Sequence, residues 1–440
     1  MRIHVTCLTR LVVAIVVGAM VSSQVIAQEA AVAEATVTLT VTADRADAIY
    51  SVGDTATFTI EARRGEEAVD DGEVVCVLSK DGWDPQPAQT LKLIDGKATV
   101  TGTLEEPGFL LLRASVGKTR ALAGAGFDPL KIAPSMPVPG DFDEFWDTQK
   151  AMLAKVPLEP TLTPVKSPVE GVEAFDLQVP CLGKPVSGYF GRPKDAQPKS
   201  LPAILFVHGA GVQSASLGST RWAAREGGML SLNINAHGIP NGQPAAFYES
   251  LRDGELKGYS HFGRKDRDQV YFKGMFLRLM RAIDFLAAQP EWDGKTLIVY
   301  GSSQGGFQAL AAAGLDSRVS FICAGVPAGC DHTGTVVDRI NGWPKLVPID
   351  AEGKPDPGVL EVARYFDAVN FATRAKCRGA VVTVGFIDRI CPPTSVYAAF
   401  NALPTPKEMH VDVDAGHVNT PAAVRFMQAA ALKHVRESRQ

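Results

Sequence analysis

Apolar and polar positions alternate through the first third of the chain. Thr36-Val-Thr-Leu-Thr-Val-Thr, Thr55-Ala-Thr-Phe-Thr-Ile-Glu and Ala98-Thr-Val-Thr-Gly-Thr-Leu each repeat with period two, the pattern of half-buried strands. Gly53-Asp54, Asp71-Gly72, Asp81-Gly82, Asp95-Gly96 and Pro107-Gly108 break these runs at short intervals, as turns do. Several short strands over residues 28–128 predict a small all-β, immunoglobulin-like sandwich. Cys76 is its only cysteine, which excludes an intersheet disulfide. Trp83 is its one candidate sugar platform, and a Trp packed in a core or loop is the plainer reading. The region reads as a spacer or packing module.

The rhythm then changes. Residues 129–140 carry Pro129, Pro134, Pro137 and Pro139 and read as a linker. Asp141 is placed to cap a helix that opens Phe-Asp-Glu-Phe-Trp. Residues 174–179 and 186–192 predict an antiparallel pair. Buried strands follow at 203–207, 229–234, 296–300, 319–324, 380–387 and 408–413. Residues 271–288 carry the apolar stripe of an amphipathic helix, and a terminal helix starts near Pro421. Strands alternating with helices over 141–440 predict an α/β fold, a mostly parallel sheet with helices on both faces. Two long connections, 237–269 and 326–364, leave strand C-terminal ends, where such sheets bind ligands.

Composition narrows the function. The 440 residues are 46% hydrophobic and 21% charged, with net charge −4 and no basic run, so nucleic acid is not an expected partner. Neither C-x-x-C nor H-E-x-x-H occurs, and no metal site is expected. Residues 1–27 read as a signal peptide. Arg2 and Arg10 precede and flank an apolar run at 11–21, and Val25-Ile-Ala closes it. Secretion or a periplasmic location is expected, with no membrane span after cleavage and no lipid anchor. Of the cysteines beyond Cys7, most are expected as buried free thiols.

The chemistry centres on Thr296 to Gly314. An apolar strand, Gly301-Ser-Ser-Gln-Gly and an Ala-rich helix follow without a break. That succession is the nucleophile elbow of α/β-hydrolases, and it makes Ser303 the expected nucleophile. A serine hydroxyl needs a base, and the chain order on this fold is Ser, then acid, then His. His417, in the loop Asp414-Ala-Gly-His, is the expected base; His410 and His434 fall in a strand and a helix. Asp388, directly after a strand, is the expected acid, with Asp414 in reserve. Oxyanion donors are expected at the Gln304 and Ala210 amides, with Gly209 in reserve for Ala210. His208 reads as a loop brace, and His237, His261 and His332 as loop or wall residues.

From about residue 138 onward these motifs resemble the acetyl xylan esterase and cephalosporin-C deacetylase family of α/β-hydrolases. Asp141-Phe-Asp-Glu-Phe-Trp resembles the family's opening helix, His208-Gly-Ala-Gly its oxyanion loop (with Ala210 where Tyr is usual), and Tyr271-Phe-Lys-Gly the approach to the elbow. Gly301-Ser-Ser-Gln-Gly-Gly matches G-x-S-Q-G-G, and Asp388-Arg-Ile-Cys-Pro-Pro-Thr-Ser is close to D-x-x-C-P-P-S-T. Gly416-His417 corresponds to the catalytic histidine, with Val418 where Glu is usual. The resemblance implies cofactor-free, serine-dependent deacetylation of small acetylated carbohydrates such as xylo-oligosaccharides, in a homo-oligomer. His237-Gly-Ile-Pro-Asn-Gly-Gln stands where the family has R-G-Q-G, which bears on substrate and assembly. A peptidase or dienelactone-type hydrolase, or a non-catalytic glycan-binding surface protein, are the alternatives.

Overall fold

Alternation in the first region becomes nine strands: β1 (Val37–Ala43), β2 (Ile49–Tyr50), β3 (Ala56–Arg64), β4 (Glu67–Ala68), β5 (Glu73–Lys80), β6 (Gln89–Lys92), β7 (Lys97–Gly102), β8 (Gly108–Val116) and β9 (Thr119–Phe127). They form a four-stranded sheet, β1-β3-β4 with β7 on β3, and a five-stranded sheet, β2-β9-β8-β5-β6. In β3 the side chains Ala56, Phe58, Ile60 and Ala62 are buried and the residues between them are not. Val41, Phe58 and Ile60 of one sheet share a core with Val74, Leu110, Leu112 and Ala125 of the other. The structure, a computed structural model, describes residues 37–440, and the expected signal peptide lies outside them.

The 129–140 segment is tied down rather than free. Asn401 Nδ2 donates to the carbonyls of Pro129 and Ile132, and the Ser135 amide donates to Asp331. The first helix, α1 (Phe142–Ala154), starts after Asp141 as expected, but the Asp141 side chain makes no cap. Its carboxylate instead accepts from Arg267 and the Tyr365 hydroxyl.

The remaining strands are β10 (Thr161–Val165), β11 (Val172–Val179), β12 (Val186–Pro193), β13 (Leu201–Val207), β14 (Leu230–Ile234), β15 (Trp292–Ser302), β16 (Phe321–Gly325), β17 (Gly379–Gly385) and β18 (Lys407–Asp412). They make one nine-stranded sheet, β10-β11-β12-β14-β13-β15-β16-β17-β18. Pairings are antiparallel from β10 to β14 and parallel from β14 to β18.

Seven further helices complete the described fold: α2 (Ala245–Asp253), α3 (Tyr271–Ala287), α4 (Gln304–Leu315), α5 (Pro357–Ala363), α6 (Ala368–Ala372), α7 (Pro393–Ala402) and α8 (Pro421–Ser438). β13 is buried throughout because both of its faces are covered. Ile204 and Phe206 meet Met427 and Ala431 of α8, whereas Leu205 and Val207 join the core of Phe276 and Ile283 from α3. Both long connections carry helices, α2 in the first and α5 in the second. Among the described residues no helix is long and apolar enough to cross a membrane. The described cysteines are free, and all but Cys181 are buried.

Candidate active site

Sterics at the end of β15 shape the elbow. A Cβ on Gly301 would lie 2.6 Å from the Val207 carbonyl oxygen, and one on Gly305 would collide with the same oxygen. Glycine therefore lets α4 start immediately above β13. Between them Ser303 takes φ 57°, ψ −120°, in the region that non-glycine residues avoid. Such a conformation costs on the order of 1–3 kcal/mol and persists only where its surroundings impose it. Here the Ser303 amide donates to the Gly325 carbonyl at 2.8 Å, and its carbonyl accepts from Ala328 and Phe307 at 3.0 Å each.

The structure brings the expected acid and base to this serine. His417 Nε2 lies 2.9 Å from Ser303 Oγ, and His417 Nδ1 lies 2.8 Å from Asp388 Oδ2. Asp388 is 1% exposed, and its other oxygen accepts from the amides of Ile390 and Cys391 at 2.8 and 2.9 Å. A carboxylate can only accept, so Nδ1 carries the imidazole proton and Nε2 presents its lone pair to the serine hydroxyl. Asp414, the reserve acid, is exposed in the loop before His417 and does not meet it.

Residues that sequence reasoning passed over hold the His417 loop in place. Asn419 donates to Ser302 Oγ at 2.7 Å and accepts from Thr383 Oγ1 at 2.6 Å, while Thr383 Oγ1 accepts from the Val326 amide. The loop is thus fastened to the ends of β15 and β17. No local motif marks Asn419, and only its place two residues after His417 could have pointed to it.

The 208–211 loop is pinned by three side chains. His208 Nε2 accepts from the Ala236 amide, so its Nδ1–H donates to the Gly209 carbonyl at 2.6 Å. Tyr259 accepts from the Gly211 amide and donates to Gln304 Oε1 at 2.7 Å. His237 Nε2 lies 3.0 Å from the Gly211 carbonyl and its Nδ1 lies 2.7 Å from the Tyr271 hydroxyl. Burial pushes the pKa of His237 down to about 4 and that of His208 below its usual value, so both rings serve as neutral braces. The Gly209 carbonyl and the Ala210 N–H belong to one planar trans peptide and point to opposite sides. With the Gly209 carbonyl turned onto His208, the Ala210 N–H points away from that ring. Gln304 opens α4, so its N–H is one of the donors a helix leaves without an internal partner.

The other histidines stand apart. His332 is buried beside Phe307, and burial pushes its pKa down to about 3. His261 reaches the Pro344 carbonyl, His410 pairs with Asp412, and His434 with Ser320. The altered 237–243 turn is stabilised from within. Asn235 Oδ1 accepts from the amides of His237 and Ile239, Asn235 Nδ2 donates to Asn241, and Arg278 donates twice to the Ala236 carbonyl.

Asp388, Cys391 and His417 each place a ligand-type atom within 4.8 Å of the others. The set does not suit a metal. Asp388 and His417 already face each other, His417 also faces Ser303, and burial, together with the negative charge of Asp388, holds the Cys391 thiol well above its usual pKa. A metal-binding cysteine needs the thiolate.

Known proteins match along the same stretch. The family model of acetyl xylan esterase (AXE1) matches residues 130–435. The acetyl esterase Axe7A of Xylanibacter ruminicola is 33% identical over 338 residues, covering 74% of this chain and 75% of that protein. An acetyl xylan esterase from Paenibacillus sp. R4 superposes with a TM-score of 0.58 at 31% identity, covering 68% of this chain and 98% of that one. Acetyl xylan esterase 1 from Thermoanaerobacterium sp. JW/SL YS485 shares the fold at a TM-score of 0.57 and 23% identity, over 70% and 97% of the two chains.

Proposed function

Because the chain belongs to the acetyl xylan esterase family, and so is a carboxylic-ester hydrolase, we propose that it removes acetyl groups from acetylated sugars outside the cytoplasm through a Ser303–His417–Asp388 acyl-enzyme mechanism. The observation that carries this reading is the unbroken relay from Ser303 Oγ through His417 to the buried Asp388 carboxylate, at 2.9 and 2.8 Å.

Ser303 Oγ attacks the acetyl carbonyl carbon as its proton passes to His417 Nε2. Asp388 keeps the ring in the productive tautomer and stabilises the imidazolium. The carbonyl oxygen becomes an oxyanion held by the amides of Gln304 and Ala210. The carbon–oxygen bond to the sugar then breaks, and His417 gives its proton to the departing sugar oxygen. Water, deprotonated by His417, attacks acetyl-Ser303; acetate leaves and the serine recovers its proton. The steps balance without a metal or cofactor.

Acetylated xylo-oligosaccharides are the proposed substrates, on the strength of the family and of the names its relatives carry. Export is proposed from the signal-like residues 1–27. The test is acetate release from these oligosaccharides by residues 28–440, with and without a serine-reactive organophosphate. Ser303→Ala should lower turnover by about 10³-fold or more while leaving the fold intact. A folded variant with near-normal turnover would refute the assignment.

A further inference from the structure

The helix that follows the acid loop begins without a cap of its own. α7 starts at Pro393 behind Pro392, and a proline side chain has no acceptor to offer the first-turn amides. The acceptor arrives from 313 positions away. Asp81 Oδ2 takes the Thr394 amide at 3.1 Å. Asp81 belongs to the turn after β5, in the N-terminal β region, and is only 4% exposed. Its φ of 54° is one that Asp and Asn adopt more readily than most residues.

This site is unfavourable for a carboxylate unless something there requires it. Burial pushes the pKa of Asp81 up to about 7, and the negative charge of Asp388 adds to that. Among the described residues no cation pairs with Asp81; the neighbouring Lys80 turns away onto Glu106. What compensates is the amino end of α7, where partial positive charge and unpaired N–H groups gather.

Between Asp388 and Thr394 the chain is held at both ends. Asp388 Oδ1 gathers the amides of Ile390 and Cys391, and Asp81 fixes Thr394. The middle is clamped by the Trp343 amide, which donates to the Ile390 carbonyl at 2.6 Å. We propose that Asp81 is a positioning residue: it caps α7 from the β region and thereby fixes the loop that sets Asp388 against His417. The proposal rests on the acyl-enzyme reading of Ser303, His417 and Asp388.

Steady-state hydrolysis of p-nitrophenyl acetate by the full chain tests it, with Ser303→Ala, Asp81→Gly, Asp81→Asn and Asp81→Ser beside the wild type. Glycine accepts the backbone conformation of Asp81 and removes the acceptor. Asp81→Gly should lower kcat about 10- to 100-fold with KM within about twofold. Asp81→Asn keeps an acceptor oxygen and should restore kcat to within about threefold of wild type. A folded Asp81→Gly with wild-type kcat, or an Asp81→Asn as impaired as the glycine variant, overturns the capping role. Should Asp81→Gly fail to fold, Asp81→Ser decides. Its shorter side chain holds the Thr394 amide less well and should cost kcat about threefold to tenfold, and unchanged kcat overturns the proposal. Ser303→Ala separates the two failures: if it stays active the site reading falls, and if it is inactive while Asp81→Gly is normal only the capping role falls.

Discussion

Asp81 carries a consequence for stability that is independent of turnover. Its pKa is about 7 in the folded chain, against about 3.9 for an unperturbed aspartate. Between about pH 4 and pH 7 the folded chain therefore keeps a proton that the unfolded chain has lost, and stability falls as pH rises through that window, by an amount on the order of a few kcal/mol. Asp81→Asn keeps an acceptor for Thr394 and has no proton to lose. Scanning calorimetry of both proteins should show a Tm advantage for the variant that grows from about pH 4 to pH 7 and then levels. An advantage that does not change with pH would contradict the buried, proton-retaining carboxyl. At this scale the sequence was readable where chemistry has a local mark. Ser303 sits between a strand and a helix, and Asp388 and His417 follow strand ends. Tyr259, Asn419 and Asp81 act across separations of 45, 117 and 313 positions, which no neighbouring pattern encodes.

Elements were readable when a period or a stop signal set their limits. Ala203 to Val207 and the β3 alternation appear in the structure as buried strands, because full burial and half burial leave different patterns. α2 lies in a stretch read only as a long connection; at nine residues with none buried it is too short for a helical period to stand out. Asp141 shows another limit, since a good capping residue at the right place bonds instead to Arg267 and Tyr365 once those side chains are brought close. The join between β15 and α4 is where element geometry and chemistry meet. At Gly305 even a methyl group would strike the Val207 carbonyl, and that carbonyl belongs to β13, which cannot yield without disturbing the sheet. Gly305→Ala should destabilise the chain by about 1–3 kcal/mol or more. It should also lower kcat, because the Gln304 amide is carried by the same turn. Thermal unfolding together with single-turnover acylation checks both effects, and a variant normal in both would show that α4 can shift without consequence.

At the scale of the whole molecule, the β region is part of the frame of the site. The continuous apolar run Gly108-Phe-Leu-Leu-Leu, not read as a strand from the sequence, fits this, because a strand open to water on one face alternates and a strand covered on both faces does not. Leu110 and Leu112 fill the β region's own core, while Phe109 turns the other way, onto Phe386 at 4.9 Å and Tyr397 at 5.4 Å. Composition and turn spacing could reveal a sandwich, but not which of its faces would be covered, or by what. Gly124 on β9 is a point of close approach, since any side chain there would meet the Phe386 carbonyl, two residues before Asp388. Gly124→Val therefore acts as a wedge between the β region and the strand end that delivers the acid. The contact is backbone on one side and sheet on the other, so relief must come from displacement of the 386–388 segment or of β9. Displacement of the segment would move Asp388 away from His417, and a shift of about 1 Å in such a group can cost on the order of 100-fold in rate. The expected outcome is a lower Tm accompanied by a fall in kcat of at least about tenfold, with KM little changed. A lower Tm with wild-type kcat would mean that β9 yields and the acid loop is insulated from the β region, which the packing of Phe109, Phe386 and Tyr397 argues against.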